Sequence, residues 1–434
     1  MKEKNSKPDR ISSNTVGKKP PKPASKNSGK NTQASAPRAI APTSQKSEPK
    51  ESPEERKRQE RLLDVFSLTF RDVLDDEKTF ATRLQDLKTA LFNRDFAGAF
   101  EREESLDVYA ARWSPTRALG YAKILRGVDE HLKALVRTDC DEREVCARVE
   151  TLDLGSEEAT DSDQDAERRT TKPLKVLAIG GAAAEIVAIA DYISASSAHT
   201  KAEVKLLDIG PWGPVVDKLH ETLITPPSLS KFASAAAQEA NKALVRSDNF
   251  GVEFVQQDIL SLDKASLETL LRSPVDSKSS STNIPHADST SPLLVTLLFT
   301  LNELYTISGI KATTSFLRLL TSLVPAGTLL LVVDSPGSYS EAAVGKEAKK
   351  YPMQWLLHHT LMPAPRKGAS MSKSEGSEHG EDEQGGKEQE KEEAHKWERL
   401  ETHESVWFRV AEGLRYPIPL ENMRYQMHLY RALG

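Results

Sequence analysis

Four apolar runs between Lys175 and Tyr305 each end in groups able to hold a ligand or move a proton. Val176-Leu177-Ala178-Ile179 breaks into Gly180-Gly181, where missing side chains let the backbone approach a ligand closely. Val204-Lys205-Leu206-Leu207 ends in Asp208, and a run from Val252 ends in Asp258 followed by Ile259. A carboxylate so placed can accept two hydrogen bonds at once, as from the paired hydroxyls of a ribose. A fourth run, Leu293 to Leu301, ends in Asn302-Glu303. That pairs an amide able to hold a carbonyl with a carboxylate able to act as general base. Asp208 and Asp258 also have a plainer reading, as caps of the helices that follow their strands.

A second group lies upstream, in the segment from Tyr109 through Arg112, Trp113, Ser114, Pro115 and Arg117 to Tyr121. Arg112 and Arg117 suit phosphate contact, and Trp113 suits base stacking. The alternative is a helical hairpin whose aromatics are core. Ser114 followed by Pro115 predicts a helix start, with an acceptor at the cap and a ring that pre-sets the first turn.

The acid-tipped runs need a scaffold that brings their ends to one edge. Helical patterns over about 183–194, 214–223, 264–271 and 308–323 separate them, and a fifth strand is predicted over Thr328–Asp334. Strand-helix alternation of this kind builds a parallel sheet that binds ligands at the carboxyl ends of its strands. Ser405–Val410 and Met423–Tyr430 then read as strands. Pro417 and Pro419 sit in a connection too short for a crossover helix, so this pair is antiparallel. Upstream, Leu62, Leu63, Phe66, Phe70, Val73 and Leu74 recur at helical spacing. The expected organisation is a disordered basic tail over 1–57, a helical region over 58–150, and a sheet domain over 171–434. Low-complexity insertions are expected at 276–291 and 366–394.

Charge is unevenly spread. The first 50 residues hold 12 Lys and Arg against three acids, about +9, and the net charge of −5 leaves about −14 for the rest. A basic arm on an acidic body suits a polyanion tether or a nuclear import signal, or is a solvated tail. Cys140 and Cys146 are the chain's two cysteines, too few for a zinc site or a disulfide framework, so no metal and a reducing compartment are expected. No stretch approaches the ~18–20 apolar residues of a membrane span, so no membrane association is expected. His358 and His359 are adjacent and so diverge on a helix, which makes them structural or substrate-side.

Five strand-helix units followed by an antiparallel pair resemble an α/β class I S-adenosylmethionine-dependent methyltransferase. That fold is a Rossmann-like, seven-stranded sheet ending in an antiparallel hairpin. A dinucleotide dehydrogenase would continue with parallel strands and carry G-x-G-x-x-G, which is absent. The segment Leu298 to Tyr305 (LFTLNELY) lacks the Asn/Asp-Pro-Pro-aromatic motif of exocyclic-amine methylation. Neither cysteine lies in the sheet domain, which argues against C5-pyrimidine chemistry. From about Leu62 onward the chain is similar to the fungal 25S ribosomal RNA uridine-N3 methyltransferases. The likeness is carried by Tyr109 to Tyr121 (YAARWSPTRALGY), Val176 to Glu185 (VLAIGGAAAE), Leu206 to Trp212 (LLDIGPW) and the LFTLNELY segment.

The resemblance implies methyl transfer from S-adenosylmethionine to N3 of a uridine in large-subunit ribosomal RNA. In such a fold the expected cofactor contacts are Gly180, Gly181, Ala182, Glu185, Asp208, Asp258, Ile259 and Thr300, and the chemistry of the fourth run's end makes Glu303 and Asn302 the expected catalytic residues. RNA contacts fall to Arg112, Trp113, Arg117 and Tyr305. The implied partner is ribosomal RNA or the pre-60S particle, met by a monomer in the nucleus or nucleolus and in the cytoplasm. A methyltransferase acting on protein or another RNA, or an inactive RNA-binding scaffold, stays open as an alternative.

Overall fold

The computed structural model describes residues 52–93, 95–100, 102–135, 172–196, 201–272, 291–337, 341–344, 349–362 and 397–433. Most of the basic tail, both cysteines, and all of the two expected insertions except Ser291 lie outside these residues. Glu51–Gly434 form one compact unit.

Six helices come first: α1 (Pro53–Thr69), α2 (Arg71–Asp75), α3 (Glu77–Phe92), α4 (Phe96–Phe100), α5 (Glu103–Gly127) and α6 (Asp129–Ala134). Strands and helices then alternate through β1 (Leu174–Ile179), α7 (Ala183–Ala195), β2 (Ala202–Asp208), α8 (Gly213–Ile224), α9 (Ala235–Ala240), β3 (Phe250–Gln256) and α10 (Lys264–Leu271). Next are β4 (Leu294–Leu298), α11 (Leu301–Ile307), α12 (Gly309–Leu323) and β5 (Leu329–Asp334). A small hairpin, β6 (Glu341–Val344) and β7 (Lys349–Pro352), leads to α13 (Met353–Leu361), and β8 (Trp397–Phe408) and β9 (Met423–Ala432) close the chain.

The main sheet runs β3-β2-β1-β4-β5-β9-β8. Its first five strands are parallel, and β9 inserts antiparallel between β5 and β8. This is the expected class I methyltransferase order. Strand order reverses between β1 and β4, so the carboxyl ends on either side leave a crevice there. Alternating strand side chains feed two cores. One joins Val176, Leu206, Leu331 and Leu429 to the N-terminal helices, and the other joins Leu177, Val295 and Val332 to α10, α12 and α13. The N-terminal helices therefore share a core with the sheet. An ion network reinforces the contact. Asp191 in α7, 1% exposed, accepts from Arg126 of α5, whose other nitrogen bonds Glu55 of α1 at 2.6 Å.

Two helix boundaries differ from expectation. The first helix begins at Pro53, where the Ser52 hydroxyl accepts the Glu55 N–H at 3.1 Å. The same Ser-Pro signal at Ser114-Pro115 starts nothing, because α5 runs straight through it. A mid-helix proline deprives the carbonyl four residues back of its donor. That carbonyl belongs to Ala111, and the Tyr416 hydroxyl donates to it at 2.7 Å. The fourth run also divides. Strand β4 stops at Leu298, Phe299 takes a φ of +60°, and Asn302-Glu303 open helix α11.

Candidate active site

The crevice between β1 and β4 opens into a cavity of about 610 Å³ at the carboxyl ends of β1 to β4. Its floor is the glycine turn after β1. Gly180 has φ +68°, and a Cβ there would fall 2.3 Å from Thr300 Oγ1. Only glycine fits, both for the left-handed backbone and for the close approach of the β4 end. Thr300 Oγ1 donates to the Ile179 carbonyl at 3.2 Å, which ties the two strand ends together across the crevice.

Behind this turn, Glu185 occupies the third position of α7, and its Oε2 accepts the Ala182 N–H at 2.8 Å. That satisfies one of the free donors at the helix start. Burial raises its pKa to about 7, against the lowering effect of that hydrogen bond. Asp208, at the tip of β2, accepts the Gly210 N–H at 2.7 Å. Burial lifts it to about 6, opposed by bonds from Gly210 and Trp212. Asp258 accepts the Leu260 N–H at 2.9 Å, so it caps the short turn after β3 while also lining the cavity. Asp258 thus fulfils the plainer capping role and faces the cavity as well, whereas Asp208 bonds the turn before α8 and caps no helix, since Trp212 stands at that helix's N-cap without a side-chain bond.

Beside β4, Glu303 lines the cavity. Burial raises its pKa, with the charges of Asp208 and Asp334 adding and Arg117 opposing. The turn that carries it is pinned from β5. Asp334, 2% exposed, accepts the Asn302 N–H at 2.8 Å and the Ser335 N–H at 2.7 Å. Burial holds Asp334 at about 6.

Helix α5 forms the roof. Tyr109, Trp113 and Arg117 all line the cavity at four-residue steps along one helical face. The Arg117 Nη1 donates to the Tyr109 hydroxyl at 2.6 Å. Its guanidinium lies 5.6 Å from the Tyr109 ring centre and 5.4 Å from that of Phe299. Trp212 packs 5.5 Å from Tyr109 and 5.6 Å from Phe100, so aromatic walls flank Asp208.

Gly180, Ala182, Glu185, Asp208, Asp258, Ile259, Thr300, Glu303, Trp113 and Arg117 are thus brought together around one cavity. Four other candidates stand apart from its lining. Gly181 serves packing, since a Cβ there would lie 2.7 Å from the Ala178 Cβ. Asn302 presents its backbone to Asp334 and is not among the lining residues. Tyr305 is 2% exposed in the core with Leu317 and Met353. Two residues beyond Glu303, it falls about 200° around the helix and cannot share the Glu303 face. Arg112 is ion-paired to Glu421.

Trp212, Phe299 and Asp334 join the site beyond the candidates the sequence points to, and Tyr109 joins it from the upstream aromatic segment. The four-residue spacing of Tyr109, Trp113 and Arg117 was available as a signal, but a helix broken at Pro115 conceals it. A smaller cavity, about 170 Å³, lies at the opposite ends of the strands around Lys175, Glu203 and Gly251. In an open α/β sheet that is the wrong edge for a ligand. Among the described residues no helix is long and apolar enough to cross a membrane, and no group of three or more metal-capable side chains forms.

Comparison with known proteins agrees with this architecture. A Saccharomyces cerevisiae (strain ATCC 204508 / S288c) protein named 25S rRNA (uridine(2843)-N(3))-methyltransferase is 27% identical over 394 residues, covering 85% of this chain and 84% of its own length. Among solved structures, a protein from Thermobifida fusca YX described as a "putative methyltransferase" aligns at 13% identity over 77% of this chain and 90% of its own, with a TM-score of 0.32. The N-methyltransferase NodS from Bradyrhizobium japonicum WM9, in complex with S-adenosyl-L-homocysteine, aligns at 8% identity over 63% and 89%, with a TM-score of 0.26. Likeness at those scores carries no argument, and the fold rests on the strand order itself. Residues 66–431 match the model of a family described as "Putative SAM-dependent methyltransferase". With most of its length inside that match, and with the strand order and glycine cradle such enzymes require, the chain belongs to this family of S-adenosylmethionine-dependent methyltransferases.

Proposed function

We propose that this protein methylates N3 of a uridine in large-subunit ribosomal RNA. The observation that carries the reading is the 27% identity, over 85% of the chain, to a protein named for that reaction. The cavity supports it. Its residues fit S-adenosylmethionine: a glycine turn that no side chain could replace, a carboxylate at the β2 tip, and an aromatic wall beside it. Gly180 and Thr300 would give the cofactor a close backbone surface, Asp208 would accept from the ribose hydroxyls, and Ile259 and Asp258 would border the adenine.

The cofactor supplies a methyl group already activated on a sulfonium. The chain must therefore align the acceptor and take its proton. Uridine N3 carries a proton and is a weak nucleophile until it leaves. Glu303 is the base, since its raised pKa makes it a stronger proton acceptor than a solvated carboxylate. Asp334 holds the Asn302 N–H and so fixes the turn from which Glu303 extends. Asn302 acts through its backbone, as a positioning residue. N3 lies on the pairing edge of the base, so the uridine must enter unpaired or flipped out. The Trp113 and Tyr109 rings of the roof offer a stacking surface. A nucleolar and cytoplasmic location accords with this substrate, and imaging of the tagged chain tests it.

The decisive measurement is mass spectrometry of ribosomal RNA nucleosides from cells lacking this protein. N3-methyluridine is expected to fall, to return with the unaltered chain, and not to return with Glu303→Gln. Undiminished N3-methyluridine in the deletion would rule this function out.

A further inference from the structure

Among the described residues lining the cavity Arg117 is the single cation, and the acids there are Glu185, Asp208, Asp258 and Glu303. A guanidinium keeps its charge and offers five N–H donors. Arg117 uses Nη1 on the Tyr109 hydroxyl, and no carboxylate among the described residues forms an ion pair with it. Rings of Tyr109 and Phe299 flank it at 5.6 and 5.4 Å. The Phe299 backbone is in the left-handed region, φ +60°, a conformation that a bulky residue adopts only under constraint from its surroundings. The acids of the cavity, Glu185 among them, act on this charge only at longer range, which leaves its remaining N–H donors for an anion from outside.

We infer that Arg117 anchors the carboxylate at the amino-acid end of the cofactor. S-adenosylmethionine brings one anionic group, that carboxylate, and two cationic centres, the ammonium and the sulfonium. In a cavity lined by four acids the carboxylate meets one cation among the described residues. A guanidinium fork matches a carboxylate with two parallel hydrogen bonds. Arg117 thereby belongs to the cofactor, in place of the RNA contact its sequence neighbourhood suggested. This rests on the cofactor assignment above.

Two ligands separate the possibilities. S-adenosylhomocysteine and 5′-methylthioadenosine share the adenosine and the thioether, and only the first has an amino-acid end. Titration calorimetry on the full chain is expected to show tighter binding of S-adenosylhomocysteine. Arg117→Gln should weaken S-adenosylhomocysteine about 10- to 100-fold, as expected for one lost charge-assisted contact, and leave 5′-methylthioadenosine within about twofold. Arg117→Lys should fall between, because it keeps the charge and loses the fork. Equal losses for both ligands would make the arginine a structural support and overturn the inference. Unchanged S-adenosylhomocysteine affinity with weakened RNA binding would overturn it in favour of a phosphate contact. If the unaltered chain bound neither ligand, the cofactor assignment itself would fall, whereas failure of the Arg117 inference alone leaves both affinities measurable.

Discussion

The Tyr416 hydroxyl donates at 2.7 Å to the Ala111 carbonyl, the oxygen that Pro115 leaves without its helical partner. This bond reaches from the segment between β8 and β9 back to α5. It explains how a 25-residue helix passes a proline and keeps Tyr109, Trp113 and Arg117 on one face over the cavity.

Tyr416→Phe should cost about 1–3 kcal/mol, the usual penalty for a buried carbonyl left unpaired. Pro115→Ala restores an N–H at that position, so the loss should shrink in the double variant. Denaturant midpoints of the four proteins in the cycle check this. A Tyr416→Phe loss of the same size in both backgrounds would show that the bond does not compensate for the proline.

Glu303→Gln should lower kcat about 10²- to 10⁴-fold on unpaired uridine RNA, the range for loss of a general base. Asn302→Ala should act far more weakly, because its backbone N–H still reaches Asp334. The Glu303 pKa is raised and the base must be ionised, so activity should climb with pH to a point above the ordinary carboxylate range. Single-turnover rates across pH, with S-adenosylhomocysteine affinity as a control for folding, separate these effects. A flat pH profile would remove Glu303 from the proton transfer.

Glu185 makes stability depend on pH in a direction opposite to that of a salt-bridged acid. Its folded pKa is about 7 against an ordinary 4.5, so the folded chain holds the proton more tightly than the unfolded one. Its contribution is present below about pH 4.5 and is lost as pH rises through 7, at up to about 1.4 kcal/mol per pH unit. Glu185→Gln cannot ionise, so its melting temperature should decline less across that window than that of the unaltered chain. Parallel curves for the two proteins would exclude Glu185 as the source.

Gly180→Ala puts a methyl 2.3 Å from Thr300 Oγ1 and forces a left-handed backbone on alanine. The turn must shift, at about 1–3 kcal/mol, and cofactor affinity should fall with it. Thr300→Gly in the same chain removes the nearest atoms and should recover part of the stability, while the backbone strain remains. Thermal unfolding with and without S-adenosylhomocysteine reads both effects. Full stability in Gly180→Ala would mean the turn is softer than its geometry indicates.

The sequence by itself determined the sheet and most of the cavity floor. Apolar runs buried on both faces, each followed by a helical period, specify parallel strands, and the short proline-bearing link specifies the terminal hairpin. Once the strands are parallel, Gly180, Asp208 and Asp258 must arrive at one rim, because each sits at or just beyond a carboxyl end, while Glu303 reaches it from the first turn of α11. The Ser52-Pro53 pair starts a helix, whereas the same pair at Ser114-Pro115 lies inside one. No local rule could separate the two, since the deciding hydroxyl belongs to Tyr416, 305 residues beyond Ala111. The roof of the site followed from that contact. Tyr305 and Arg112 were likewise placed away from the cavity by helix phase and by Glu421, neither of which is visible while residues are read as a line. Strand ends follow from periodicity. Which side chains then share a cavity is set by contacts distant in sequence, and only the tertiary structure decided those.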